Sequence, residues 1–112
     1  MLAKKYRFHS RGGVKYVYRH GRTIRRPGMS LVFCENSRGF TRMTVVVSKK
    51  VTKTAVSRNR IRRRVYEVLR ENLDAIPKKQ DYIFVVYDKN VGKMPYKKIV
   101  ELVGKLVAES KV

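Results

Sequence analysis

Apolar and polar positions change period along the chain, and the changes mark out its elements. In residues 11–21, RGGVKYVYRHG, Val14, Val17 and Tyr18 fall at the i, i+3, i+4 spacing of one helix face, which predicts a short helix ending at Gly21. The RPGM stretch at 26–29 breaks the chain. Residues 29–34, MSLVFC, and 40–49, FTRMTVVVSK, are rich in β-branched and aromatic side chains and predict two strands. The ENSRG turn at 35–39 would join them as an antiparallel hairpin. Alternation puts Met29, Leu31 and Phe33 on one face of the first strand, and Met43, Val45 and Val47 on one face of the second. These more apolar sets should meet the core. Ser30, Val32 and Cys34, with Thr44, Val46 and Ser48, form a milder face that can stay partly open.

Helical spacing returns over residues 55–73, where Ile61, Val65, Val68, Leu69 and Leu73 share an arc of about 140°. Thr54 or Ser57 supplies the N-cap, and Pro77 bars continuation. Residues 81–88, DYIFVVYD, are almost wholly apolar, as a central strand buried on both faces should be. KNVGKMP reads as a loop, with Pro95 suited to the first turn of a last helix. That helix, 96–109, carries Tyr96, Ile99, Leu102, Val103, Leu106 and Val107 on its core face. The order is αββαβα, with 40–88 as a strand–helix–strand crossover, which predicts an α+β sandwich with a sheet of about four strands at most. No repeat or linker divides the chain, so residues 1–112 are expected to form a single domain, with 1–8 as an extended basic arm.

The charge changes this picture from a fold to a partner. The net charge is +20, and it is segregated: residues 1–66 hold 19 Lys/Arg against one acid, Glu35, whereas residues 67–112 hold 9 against 7. Segregation of this kind sets up a strong positive field over one part of the surface and predicts a polyanionic partner. No apolar run approaches the roughly 18–20 residues that cross a bilayer. The basic start, Met1 to Lys5, is followed by no apolar core of a secretion signal. One cysteine, Cys34, forms no internal disulfide and fits a reducing cytoplasm.

The densest charge opens the central helix. Residues 58–64 hold five arginines, Arg58, Arg60, Arg62, Arg63 and Arg64. Cations at a helix N-terminus oppose its dipole, and a helix shaped for stability alone would carry Asp or Glu there. Glu67 and Glu71 stand at pairing distance in sequence from Arg63, Arg64 and Arg70, but Arg58, Asn59, Arg60 and Arg62 have no local acid. A phosphate backbone would offset that arrangement. The helix lacks a leucine heptad and no helix-turn-helix pairing precedes it, so a regulator reading duplex DNA is disfavoured against an RNA binder.

The stretch SKKVTKTAVSRNRIRRRVYEVLRE resembles the protein subunit of bacterial ribonuclease P, whose signature is an Arg-Asn-Arg centre opening a helix after a strand that ends in Lys-Lys or similar. Here these are Arg58-Asn59-Arg60 and Lys49-Lys50, and YRF…VKYVYRHG is similar to the family's opening helix. The resemblance implies a protein that assists a catalytic RNA in endonucleolytic removal of the 5′ leader from precursor tRNA. It implies catalytic-RNA contacts by Arg58, Asn59, Arg60, Arg62, Arg63, Arg64 and Lys49. It implies a leader cleft of Val14, Tyr18, Val32, Val46, Lys50 and Val86, with Tyr16 as the alternative to Tyr18. It further implies two helices on one sheet face, a short first helix beside an open cleft, a left-handed crossover and one protein copy in a cytoplasmic holoenzyme. Two departures stand out: Val14 replaces a usual aromatic, and the 52–56 segment is one residue longer than the family's.

No protein active site is legible. His9 and His20 lie apart from carboxylates in sequence, no metal-ligand spacing occurs, and Cys34 reads as a small strand residue. Phosphodiester hydrolysis calls for metal ions held on oxygens at the scissile phosphate. The expectation is that Mg2+ and the chemistry belong to the RNA. The alternative from residues alone is a non-catalytic RNA-binding structural protein, such as a small ribosomal protein.

Overall fold

A computed structural model of the chain describes residues 6–7, 11–36 and 39–111. Its elements run α1 (Arg11–His20), β1 (Arg22–Arg26), β2 (Met29–Glu35), β3 (Arg42–Val47), α2 (Ala55–Glu71), β4 (Gln80–Val86) and α3 (Tyr96–Ser110), with 3-10 turns at Leu73–Ala75 and Lys89–Lys93. The fold is α+β, with one mixed sheet of four strands ordered β1-β2-β4-β3.

Two of the expected strand relations are corrected. A strand, β1, precedes the Pro27-Gly28 break, so that break is a two-residue hairpin turn pairing Arg26 with Met29. Pro27 fixes its own φ and Gly28 sits at φ +92°, the pattern of a type II turn. Arg22–Arg26 carries one apolar residue, Ile24, and is an edge strand; its arginines guard the edge and leave no alternation to read. The second correction is that β2 and β3 do not form a hairpin. β4 lies between them, antiparallel to β2 and parallel to β3. The apolar character of β4 explains its place: Tyr82, Ile83 and Phe84 are all fully buried, which only a central strand covered on both faces allows. The connection between β2 and β3 is tied to β4 by Asp81, which accepts from Arg42 Nη2 at 2.7 Å and from Asn36 Nδ2 at 2.8 Å.

The expected core faces of β2 and β3 hold. Met29, Leu31, Phe33, Met43, Val45 and Val47 join Tyr82, Phe84 and Val86 under α2 and α3. From α2 this core takes Ile61, Val65, Val68 and Leu69, and also Tyr66, whose hydroxyl accepts from Val45 N at 3.2 Å. From α3 it takes Ile99, Val103, Leu106 and Val107; Tyr96 is instead exposed and donates to the Glu71 carboxylate. The α1 helix lies on the other face, where Val17 packs on Val32 and Ile83. Gly21 lets α1 end there: a Cβ would sit 2.5 Å from Val17 O and 2.6 Å from Phe33 O. Of the expected basic arm, only Tyr6 and Arg7 lie within the described residues, with Arg7 bridging to Met43 on the free side of β3.

Candidate nucleic-acid interface

Parallel pairing of β3 and β4 sets where the charge goes. Both strands end at the same sheet edge, and the helix between them must begin there. Lys49 and Lys50, which follow β3, are exposed at that edge. Thr54 caps α2, its hydroxyl accepting from Ser57 N at 3.2 Å, and the first turn of the helix holds no acid. The five arginines then part company. Arg58 is half-buried and folds back, donating from Nη1 to the carbonyls of Thr52 (3.1 Å) and Lys53 (3.0 Å), so it braces the loop before the helix. Arg62 donates to the Asn59 amide oxygen. Arg64 reaches across to the 3-10 turn and donates to Gly92 O at 2.6 Å and Met94 O at 2.7 Å. Arg60 and Arg63 are exposed, and among the described residues neither has a hydrogen-bond or ion-pair partner.

The acids of α2 do not alter this. Glu67 and Glu71 both pair with Arg70, at 2.9 and 3.3 Å, and not with Arg63 or Arg64 as their spacing predicted. The Arg70 guanidinium holds the Glu67 carboxyl below its ordinary value. The second half of the helix is thus self-neutralised and the first half is not.

The open sheet face is a second, different surface. Val17, Val32 and Ile83 are buried there, and Val14, Cys34, Val46 and Val85 are half-buried around them. Here Val14, Val32 and Val46 stand where expected. Val86 does not: it is 1% exposed and faces α2 and α3. The β4 register decides this, because Val86 pairs with Met29 and shares its face, while Val85 pairs with Val46 in β3. Val85, missed in the apolar run, takes its place, and Cys34 lies on the same face further along, across from Asp81. Tyr18 is 47% exposed at the rim of α1, and burial of the rest pushes its phenol up from the usual value. Tyr16 is more exposed, at 55%, and packs on His20 with ring centroids 4.4 Å apart and the planes tilted by 39°. The surface is aliphatic at the floor and aromatic at one wall, suited to unstacked bases and not to a metal.

Neither surface suits a divalent ion. The charged edge presents cationic nitrogens, the open face aliphatic side chains, and among the described residues no three His, Cys, Asp or Glu side chains converge as a metal site. Nor, among the described residues, is any helix long and apolar enough to cross a membrane.

Comparison with known proteins places this geometry in a family. The family model Ribonuclease P matches residues 2–111. A ribonuclease P protein component from Syntrophus aciditrophicus is 32% identical over 108 residues, covering 96% of this chain and 89% of that protein. One from Pseudanabaena is 32% identical over 114 residues, covering 100% and 97%. Among solved structures, the ribonuclease P protein of Staphylococcus aureus superposes with a TM-score of 0.81 at 23% identity over 96% of both chains. That of Thermotoga maritima gives 0.82 at 23%, over 92% of this chain and 96% of its own.

Proposed function

The chain belongs to the ribonuclease P protein family, and from that premise we propose how its two surfaces divide the work. It is the protein component of an endoribonuclease that acts with a catalytic RNA in 5′ processing of tRNA. In our reading the chain works as a single RNA-binding domain, one copy per cytoplasmic holoenzyme. The sheet edge holding Lys49, Arg58, Asn59, Arg60, Arg62 and Arg63 grips the backbone of the catalytic RNA. The open face, with Val14, Tyr18, Val32, Val46 and Val85, receives the single-stranded leader of precursor tRNA, and Lys50 follows the leader phosphates at the end of β3. The observation that carries this is a pair of exposed arginines, Arg60 and Arg63, without partners among the described residues, at a helix start whose first turn holds no acid.

The physics of the assistance is charge neutralisation and positioning. Lys and Arg contacts release condensed counterions from the RNA, and the leader adds contacts that a mature tRNA lacks. Cationic and aliphatic side chains offer no oxygen ligands to Mg2+, so RNA oxygens would hold it, and it would supply the hydrolytic chemistry there. The protein lowers the Mg2+ needed by screening phosphates that would otherwise repel one another.

The test is leader cleavage by the catalytic RNA at low Mg2+, with and without the protein. The expected result is a large gain in the rate of leader removal with the protein present. No gain at any Mg2+ concentration would overturn the reading.

A further inference from the structure

The β3–α2–β4 unit brings a segment to the charged edge that sequence proximity does not. β4 ends at the edge where α2 begins, so the chain after β4 arrives beside Arg60. That chain is the 3-10 turn Lys89–Lys93, and it is held fast. Val91 is fully buried in the core. Gly92 lies so close to α2 that a Cβ would come within 2.9 Å of Ile61 Cγ1. The Asp88 carboxylate accepts from Asn90 N at 2.9 Å. Arg64 donates to the carbonyls of both Gly92 and Met94. Between this turn and α2 lies a cleft of about 150 Å3, with Ser57 and Arg60 on one wall, Lys89 and Lys93 on the other, and Thr52 at its side. Three cations and two hydroxyls line it, and no acid does.

Three cationic residues around so small a space repel one another, and the fold holds their backbones on its two walls. Cationic and hydroxyl side chains on two walls of one cleft are the donor types that suit the oxygens of a phosphate diester. We infer that this cleft seats a backbone phosphate of the catalytic RNA, and that Arg64 is a positioning residue that holds the Lys89–Lys93 wall opposite Arg60. Its planar fork bridges two carbonyls at once, which a lysine ammonium on a flexible stem does not reproduce. The inference rests on the reading of the α2 start as the RNA grip. It adds Lys89 and Lys93 to that grip and takes Arg64 out of direct contact.

The experiment measures affinity of the full chain for the catalytic RNA over a range of salt concentrations. The variants are Lys89→Gln/Lys93→Gln, Arg64→Lys, the three together, and Arg60→Gln/Arg63→Gln. Losing one neutralised phosphate should weaken binding several-fold and make the slope of log K against log salt shallower by about one in Lys89→Gln/Lys93→Gln. Arg64→Lys, with its charge intact, should also weaken binding several-fold, but add no further loss in the Lys89→Gln/Lys93→Gln background. A direct phosphate contact by Arg64 would leave Arg64→Lys close to wild type, and a merely structural role would lower affinity equally in both backgrounds; either result overturns the positioning role. Wild-type affinity and slope in Lys89→Gln/Lys93→Gln overturns the phosphate seat. If Arg60→Gln/Arg63→Gln still binds weakly, the RNA-grip reading survives that failure; if it too binds like wild type, the grip itself falls.

Discussion

The two faces of the sheet use alternate residues of the same strands for opposite ends. Under α2 and α3, twenty residues join one buried cluster; on the opposite face, among the described residues, three do. Phe84 and Val86 point into the first, Ile83 and Val85 to the second. One face holds the fold together. Among the described residues the other is covered by the short α1, and it keeps Val14, Cys34, Val46 and Val85 half-exposed. The proposed leader surface is thus a sheet face left underfilled, not a pocket cut into the core. Substitutions there should affect ligand before stability.

That contrast can be broken most directly by comparing neighbours on β4. Phe84→Ala removes a fully buried ring and should cost about 3–5 kcal/mol in urea unfolding. Val85→Ala, half-exposed on the open face, should cost about 1 kcal/mol or less. Similar losses at both positions would show that the open face also carries the fold.

A smaller effect sharpens the comparison through Cys34. Burial pushes its thiol above the ordinary value, and the Asp81 and Glu35 carboxylates add to this. A raised thiol value means less thiolate at pH 8, so alkylation should run slower than for a free thiol and recover as pH rises further. Within the holoenzyme, precursor tRNA should slow it again while mature tRNA should not. Equal rates with both tRNAs would place the leader elsewhere.

Much of this was legible in the sequence because it rests on period. The helix faces apart from Tyr96 and the core sides of β2 and β3 follow from spacing, and residue type narrows the α2 cap to Thr54 or Ser57, of which Thr54 is the one used. Three things were not legible, each for a physical reason. β1 is an arginine-rich edge strand whose pairing is through backbone, so it shows no apolar alternation. The insertion of β4 between β2 and β3 is a long-range pairing that local pattern favours no more than a hairpin. Within the run Tyr82 to Val86 every residue is apolar, so the phase that separates Val85 from Val86 is set by register against Met29 and Val46. Among the arginines, composition gave the partner but not the roles. That Arg58 and Arg64 grip the protein's own carbonyls while Arg60 and Arg63 face outward emerges only when the 52–53 loop and the 89–94 turn are in place. The crossover did hold one unused clue: parallel strands around a helix put the KNVGK loop beside the helix start.

The central claim is that grip and leader surface are separate. The decisive measurement is the affinity of the assembled holoenzyme for precursor and for mature tRNA, made with wild type and Val46→Glu. A carboxylate on the open face should weaken precursor binding by about tenfold, near 1.4 kcal/mol, through repulsion of leader phosphates. Binding of mature tRNA, and of the catalytic RNA to the protein, should stay at wild-type values. An equal loss for both tRNAs, or no loss for the precursor, would contradict the account.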